Sequence, residues 1–325
     1  MCTAITYKTK DHYFGRTLDM EYSYNETVII TPRNFPFFFR KAGRLGRHYA
    51  MIGMAIALDG YPLYYDAVNE KGLGMAGLNF PGNAHFAQEA EGMDNIAPFE
   101  LIPWILGQCA NLKEVRRLLK RLNIVKLDFR EDVPAAPLHW MIADRDGSIV
   151  VEAVREGLKI YDNLVGVLTN NPPFDMQMFH LSNYMGLCSC PPVNRFSKEL
   201  DLQPSSRGMG ALGLPGDLSS LSRFVRAAFV KLNSVYGDSE AESITQFFHI
   251  LGSVEQQRGS VLVGDNQYEM TVYTSCCNTD KGIYYYITYE NRQITEVDMH
   301  QENLEGDYPV IYPLIKEQQI KRMLP

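Results

Sequence analysis

Short runs of apolar and β-branched residues, several of them alternating with polar ones, recur along the chain and predict a strand-rich fold. The predicted strands lie at residues 3–7, 27–31, 49–58, 63–66, 74–80 and 165–169. Most of these runs have the length of an ordinary strand. Turn residues between them favour antiparallel pairing.

Two longer segments carry hairpin signals. In LHWMIADRDGSIVVEAV, the dipeptide Asp146-Gly147 separates two apolar runs, which is typical of a tight β-hairpin turn. Near the C-terminus, YEMTVYTSCCNTDKGIYYYITYENRQITEVDM predicts two or three antiparallel strands joined by tight turns. Both segments indicate sheets assembled from neighbouring strands.

Helical periodicity is less frequent. Apolar residues at positions 115, 118, 119 and 122, and at 244, 247, 248 and 251, follow the i, i+3, i+4, i+7 spacing of a helix face. Asn111 and Glu114 form a capping-box start for the first of these helices. Residues 222–232 are apolar on more than one face, which predicts a buried helix.

Hairpins with helices between them favour an α+β class, with sheet packed on sheet and helices outside. No Pro- or Ser-rich linker and no repeat divides the chain, so residues 1–325 are interpreted as one domain.

The charge balance limits the classes of partner. Lys and Arg number 31 against 38 Asp and Glu, giving a formal net charge of −7. Nucleic acid is not an expected partner, because the chain has no surplus of cations to displace phosphate counterions. An anionic small molecule would have to be bound by local groups and apolar contact.

No targeting or membrane segment is expected. Charged residues between Lys8 and Arg16 interrupt every apolar run near the N-terminus, so a signal peptide is not predicted. The longest apolar run, Met51–Leu58, is far shorter than a membrane span. A cytoplasmic location is the expectation.

The six cysteines predict neither a disulfide scaffold nor a metal site. They are few for a chain of this size and form no C-x-x-C pair, so zinc is not expected. Cys188 and Cys190, like Cys276 and Cys277, are interpreted as packing residues in a reducing compartment. No metal and no cofactor is expected.

One motif is a false lead. Gly72, Gly74 and Gly77 match G-x-G-x-x-G, but a dinucleotide site needs a strand before the motif and a helix after it. Here a turn precedes the glycines and a strand pattern follows them. They are interpreted as residues that permit a turn and close packing of a strand.

Cys2 is the most informative residue. Removal of the initiator methionine would expose a thiol and an α-amine on one residue, that is, a nucleophile and a base with pKa values near 8.5 and 8 in free form. A strand begins beside it, and Arg16 and Asp19 follow within hairpin reach. A cation favours a thiolate and a carboxylate favours an ammonium, so these are the partners that such a residue requires. From its position alone, Cys2 is still more often incidental.

Several motifs together resemble the choloylglycine hydrolase family, which comprises bile salt hydrolases and penicillin V acylases with an N-terminal nucleophile. They are MCT at the start, FGRTLD (14–19), NEKGLGMAGLNFP (69–81), LTNNP (168–172), GLPGD (213–217), SRF (222–224) and GIYYYITYEN (282–291). Their order and spacing span essentially the whole chain.

The resemblance implies a four-layer αββα sandwich of two antiparallel sheets between helix layers. It implies Cys2 as nucleophile with its own amine as base, after removal of Met1. Arg16 would lie against the thiolate and Asp19 would bind the amine. Asn79 and Asn170 would donate to the oxyanion, with Arg223 completing the charged cluster; Asn171 is interpreted as a turn residue.

The resemblance also implies a substrate class, conjugated bile salts, and a homotetramer. Bile salt hydrolases carry Asn at the position of Asn79, where penicillin V acylases tend to carry Tyr. The positions that match the family's steroid contacts are Leu18, Leu58, Phe129, Val133 and Leu138. Ordinary core packing is an equal alternative for each of them. Penicillin V or another N-acyl amide stays open as substrate, as do a silent bile-binding protein and the choice between glycine and taurine conjugates.

Overall fold

The computed structural model describes residues 1–323, and strands dominate that part of the chain. The strands are β1 (Cys2–Lys8), β2 (His12–Met20), β3 (Thr27–Thr31), β4 (Phe37–Phe39), β5 (Gly43–Leu45), β6 (Met51–Leu58), β7 (Tyr61–Asn69), β8 (Gly74–Asn79), β9 (Asp94–Ile96), β10 (Leu122–Ile124), β11 (Leu138–Asp144), β12 (Gly147–Val154), β13 (Gly157–Asp162), β14 (Val167–Leu168), β15 (Val261–Gly264), β16 (Gln267–Asn278), β17 (Ile283–Thr288), β18 (Thr295–Asp298) and β19 (Val310–Pro313).

The helices are fewer and shorter. The α-helices are α1 (Leu101–Gln108), α2 (Leu112–Leu118), α3 (Phe174–Leu181), α4 (Ser220–Leu232) and α5 (Glu240–Gly252). Short 3-10 helices occupy Pro98–Glu100, Leu119–Arg121, Ser182–Tyr184, Met209–Ala211 and Met299–Gln301.

Two large antiparallel sheets form the centre of the described chain. One has seven strands, in the order β14-β1-β2-β16-β17-β18 with β15 also paired to β16. The other has eight, in the order β13-β12-β11-β8-β7-β6-β3-β19. Helices α4 and α5 pack on the first sheet and α1 and α2 on the second. The predicted αββα sandwich is confirmed.

The two sheets pack directly on each other along β2 and β8. Phe14 of β2 faces Gly74 of β8, where an added Cβ would lie 2.7 Å from the phenyl ring. The close approach therefore requires glycine at position 74. Gly72 precedes it in a turn at φ +84°, and a strand follows, so Gly72, Gly74 and Gly77 belong to a turn and a strand as predicted.

Most of the predicted elements are confirmed, with shifted boundaries. The β11–β12 hairpin pairs Asp144 with Gly147, so the turn is Arg145-Asp146 and Gly147 already belongs to a strand. The predicted strand at 165–169 is reduced to Val167–Leu168. Asn111 caps α2 as predicted, accepting from the Glu114 amide.

Two helix predictions need correction. Helix α2 ends at Leu118 and a 3-10 turn follows, so Leu122, predicted on the helix face, lies in strand β10 instead. Helix α4 is buried along its first half, but Leu232 at its end is exposed. Neither α1 nor α3 was predicted.

The prediction for one pair of cysteines was wrong. Cys276 and Cys277 are buried packing residues, but Cys188 and Cys190 lie in a surface segment and are joined to each other as a disulfide. Cys188 is half-buried and Cys190 is exposed, so neither is a core packing residue. Within residues 1–323, no helix has the length and apolar character needed to cross a bilayer.

Candidate active site

Cys2 is the first residue of β1 and lies inside the seven-stranded sheet. In register, Cys2 pairs with Leu18 on β2, while Ala4 pairs with Leu168 on β14. Because β1 has a strand on either side, the Cys2 backbone is fixed by the sheet. The residue is only 3 % exposed.

The Arg16 guanidinium contacts the Cys2 sulfur directly between the two sheets, through Nη2. Its other nitrogens donate to backbone carbonyls, Nε to Thr17 at 3.1 Å and Nη1 to Tyr65 at 3.2 Å and to Gly77. Arg16 is completely buried. Burial alone lowers the pKa of the guanidinium, but nearby anionic groups, Cys2 first among them, outweigh burial and raise it.

A buried carboxylate lies behind Arg16. Asp66 accepts hydrogen bonds from the Tyr273 and Tyr284 hydroxyls, both at 2.7 Å, and from Ser275 at 3.2 Å. Burial raises the pKa of Asp66, and the charge of Arg16 opposes that rise. The Ser275 hydroxyl also accepts the Arg16 amide at 3.1 Å. This network connects the arginine to three further strands, β7, β16 and β17.

A second buried arginine lies on the other face of β1, towards the helices. Arg223 of α4 donates through Nη1 to the Cys2 carbonyl at 2.6 Å and to the Thr3 hydroxyl at 2.7 Å. Its Nη2 donates to Asn170 Oδ1 at 2.8 Å. Burial lowers the pKa of Arg223, against the opposing effect of Asp19.

Asp19 lies on this second face, three residues after Arg16 in β2. Its carboxylate is 3.9 Å from Arg223 and accepts from the Thr271 hydroxyl at 2.7 Å and from Thr17 at 3.2 Å. The Cys2 nitrogen, a peptide N–H here, donates to Asn170 rather than to Asp19. The Met1 ammonium contacts the Asp19 carbonyl and the Glu269 carboxylate.

Asn79, the last residue of β8, and Asn170, in the loop after β14, approach each other. The two turns that begin at these strand ends, residues 79–83 and 169–173, are called the asparagine loops. Asn170 Oδ1 accepts the Cys2 amide at 2.8 Å, and its Nδ2 donates to the Asn79 carbonyl at 2.7 Å. The Asn79 side chain is exposed. Asn171, by contrast, donates to Pro81 and accepts from Asn83. Asn170 therefore contacts Cys2, whereas Asn171 contacts the neighbouring loop at residues 81–83.

Four of the five predicted pocket residues lie at one end of the eight-stranded sheet. Leu138 pairs with Asn79, and Leu58 pairs with Tyr61 at the tip of the β6–β7 hairpin. The Phe129 ring packs on Tyr61 at 5.9 Å between centroids, and the Phe129 amide donates to the carbonyl of Val133.

Leu18 is buried in the core between the sheets, opposite Cys2. It shares that face with the sulfur because directly paired residues point the same way. The structure thus places Leu18 in the seven-stranded sheet, Leu58 and Leu138 in the eight-stranded sheet, and Phe129 and Val133 in the segment between β10 and β11.

Sequence reasoning missed several buried polar residues around the site. Asp66, Tyr273 and Ser275 support Arg16, and His139 and Glu152 lie between the two asparagine loops. A signal was available for the acidic ones and His139, because a charged or polar residue interrupts an otherwise apolar strand. The partners of Asp66 could not be read from the sequence, since they come from distant strands, whereas Glu152 faces His139 across the predicted β11–β12 hairpin.

The chain matches the model of a known family over residues 2–312, described as linear amide C-N hydrolases, choloylglycine hydrolase family. The chain belongs to this family. It is 57 % identical over 98 % of both chains to a bile salt hydrolase/transferase of Lactiplantibacillus plantarum. It is 42 % identical to a bile salt hydrolase/transferase of Clostridium perfringens, over 94 % of this chain and 95 % of that protein.

Solved structures agree with this assignment. The mutant C2A conjugated bile acid hydrolase from Clostridium perfringens matches with a TM-score of 0.93 and 41 % identity, over 100 % of both chains. Penicillin V acylase from Agrobacterium tumefaciens matches with a TM-score of 0.76 and 17 % identity, over 95 % of this chain and 90 % of that one. The second likeness concerns the fold.

Proposed function

We propose that this chain cleaves the amide bond of glycine- or taurine-conjugated bile acids through an acyl-enzyme on Cys2. The observation that carries the proposal is the contact of the Cys2 sulfur with buried Arg16. A thiol beside a fixed cation is biased towards the nucleophilic thiolate. The names of the relatives, bile salt hydrolases and transferases, support the choice of substrate.

In the first step, the thiolate attacks the amide carbonyl and a C–S bond forms. Negative charge develops on the carbonyl oxygen. Its proposed donors are the side-chain amide of Asn79 and the second N–H of Asn170 Nδ2, the first being bonded to the Asn79 carbonyl. The Cys2 amine carries the thiol proton to the leaving nitrogen as the C–N bond breaks. The products are a free amino acid and a thioester.

In the second step, water attacks the thioester, the amine removes its proton, and the bile acid leaves as the thiolate returns. A second amine in place of water would give a new amide, so acyl transfer is part of the proposal. The transferase activity in the names of two relatives supports this.

The amine role requires that Met1 be removed. Asn170 Oδ1 already accepts the Cys2 N–H, and Asp19 lies on the same face of the sheet. We propose that these two groups orient the Cys2 ammonium once it is free. Intact-mass measurement should show loss of Met1 from every active preparation; full activity in a chain that keeps Met1 would overturn the mechanism.

Substrate choice is tested by comparing glycocholate, taurocholate and penicillin V at equal concentration. Bile-salt cleavage should be faster, because the proposed pocket residues Leu58, Phe129, Val133 and Leu138 supply apolar surface, and Leu138 pairs with Asn79. A steroid that buries about 250 Å² would gain roughly 6 kcal/mol. Faster penicillin cleavage would favour the acylase alternative. Bile-salt binding without turnover, unchanged by alkylation of Cys2, would favour a silent binding protein.

We also propose a cytoplasmic homotetramer in which each chain is one folding unit. Exposed apolar side chains support association, since large apolar patches are rare on monomers. They are concentrated on α3, on the segment 185–212 and on residues 232–236 at and after the end of α4. Among them are Phe179, Met185, Phe196, Leu212 and Val235. Light scattering should give four times the chain mass, and a monomer would reject the assembly. A single unfolding transition would support one folding unit.

A further inference from the structure

A buried histidine lies between the two loops that carry Asn79 and Asn170. His139 of β11 pairs with Leu78 of β8, and its ring stacks on Phe80 with centroids 4.2 Å apart and an interplanar angle of 6°. On the other side, its Nε2 lies 2.8 Å from the Thr169 carbonyl. Each loop is therefore contacted at the residue next to its asparagine.

Glu152 fixes the orientation of that ring. Its Oε1 lies 3.0 Å from His139 Nδ1 and also accepts the Phe174 amide at 3.0 Å. Because a carbonyl can only accept, Nε2 must carry a proton and donate to Thr169. The Nδ1 contact then fixes the rotation of the ring. Phe174 begins α3, so Glu152 also fixes the end of the Asn170 loop.

We propose that His139 and Glu152 are positioning residues that set the distance between the Asn79 and Asn170 side chains. The inference rests on the proposed amide hydrolysis and extends it. Both residues are completely buried. A buried pair of this kind usually adds little stability over apolar residues of the same volume, so packing alone does not explain it. Misplacing a reacting group by about 1 Å can cost 10²-fold in rate.

The test compares two buried histidines. His48 also has both ring nitrogens near carbonyls, Tyr49 at 2.7 Å and Phe35 at 2.9 Å, and its ring packs on Phe37 at 4.8 Å. It contacts neither asparagine loop. We expect His139→Leu to lower kcat on glycocholate about 100-fold with KM within threefold. His48→Leu should leave kcat within threefold, with a similar loss of stability.

Two further readouts separate positioning from general damage. Iodoacetamide alkylation of Cys2 needs no oxyanion donors, so its rate should be unchanged in His139→Leu. A bile-acid aldehyde forms a hemithioacetal, in which sulfur adds to the carbonyl carbon and the thiol proton passes to oxygen. Its affinity should fall in proportion to kcat/KM. Equal loss of alkylation and turnover, or turnover within threefold of wild type, would overturn the proposal.

A second pair of variants applies if His139→Leu does not fold. Glu152→Gln keeps an oxygen that can accept the Phe174 amide but removes the negative charge beside His139, so kcat should fall by less than about tenfold. Glu152→Leu removes the acceptor and should lower kcat about 100-fold. Equal kcat values in these two variants would reject the inference. Inactive wild-type protein freed of Met1 would reject the proposed function and this inference with it, whereas active wild type with unaffected variants rejects the inference alone.

Discussion

An arginine lies on each face of the β1–β2 strand pair: Arg16 belongs to β2, and Arg223 comes from α4. The two arginines differ in what they contact. Arg16, between the sheets, contacts the Cys2 sulfur, and its pKa is raised. Arg223, on the helical side, contacts the Cys2 carbonyl and Asn170, and its pKa is lowered. Both are completely buried.

The difference separates chemistry from placement. Arg16 has the Asp66 carboxylate on one side and the Cys2 sulfur on the other. The thiolate and the carboxylate can therefore both balance the charge of the guanidinium. Arg223 has one carboxylate, Asp19, at 3.9 Å, and otherwise neutral acceptors. It uses the fork geometry of its guanidinium to join three segments of chain. We propose that Arg223 acts by placing these segments, whereas Arg16 acts on the sulfur.

The largest effect is expected from Arg16→Gln. Without the cation, kcat/KM on glycocholate should fall about 10³-fold, because the sulfur loses the group that favours its thiolate. Iodoacetamide alkylation at pH 7 should slow as well. Stability should fall by about 1–3 kcal/mol, since the carbonyls of Thr17, Tyr65 and Gly77 lose their donors. Turnover within tenfold of wild type would remove the distinction between the two arginines.

Asn79→Ala and Asn170→Ala come next. Each should lower kcat by about 10²–10³-fold, the usual cost of one oxyanion donor, about 2.7–4 kcal/mol. Their stabilities should differ. Asn170 accepts from Cys2 and Arg223, so its loss should destabilise the fold by roughly 1–3 kcal/mol in urea unfolding. Exposed Asn79 should cost less than about 0.5 kcal/mol. Unchanged kcat in either variant would contradict the assigned role.

Arg223→Lys tests placement without removing charge. A lysine cannot reproduce the fork that contacts Cys2, Thr3 and Asn170, so kcat should fall about tenfold and stability by about 2–3 kcal/mol. Cys2 alkylation should stay within threefold of wild type. A loss of alkylation as large as that in Arg16→Gln would show that both arginines act on the sulfur.

The smallest effect on activity is expected at the far end of β2. Burial lowers the pKa of His12 to about 4 from 6.5, so the folded state binds fewer protons than the unfolded state between these values. The contribution of neutral His12 to the free energy of unfolding should be fully present above pH 6.5. It should be lost, by about 3 kcal/mol, as the pH drops to 4. His12→Gln should flatten this dependence in urea unfolding and leave turnover at pH 7 unchanged. An equally steep dependence in the variant would contradict the assignment.

Much of the fold could be predicted because strand patterns are local. Alternation along β1, β3 and β8 and the β11–β12 hairpin, whose turn was predicted one residue late, needed no knowledge of the rest of the chain. Helix α3 could not be predicted, since its eight residues show weak periodicity and it depends on Glu152 to bind its first amide. The Cys188–Cys190 pair was missed because compartment reasoning says nothing about two neighbouring surface thiols.

The candidate site shows the same limit. Cys2, Arg16 and Asp19 lie close in sequence, so hairpin reach alone suggested that they meet. Asn79, Asn170 and Arg223 came from the family resemblance, since no local pattern joins residues on β8, β14 and α4. Asp66 and His139 were not found at all. The Tyr273 hydroxyl that bonds Asp66 is 207 residues away, and a single sequence carries no record of such a contact. Glu152, by contrast, is 13 residues from His139 in a predicted hairpin, so that pair could have been found.

The acceptors of Arg16 have a consequence for how this site can diverge. Within residues 1–323, the acceptors of its guanidinium other than the sulfur are main-chain oxygens, those of Thr17, Tyr65 and Gly77. Main-chain oxygens are present whatever amino acid occupies the position. Substitutions at Thr17 and Tyr65 therefore leave these acceptors of Arg16 in place, whereas the two asparagines depend on the side chains around them. A scaffold of this kind can acquire new substrates as substitutions accumulate in its sequence.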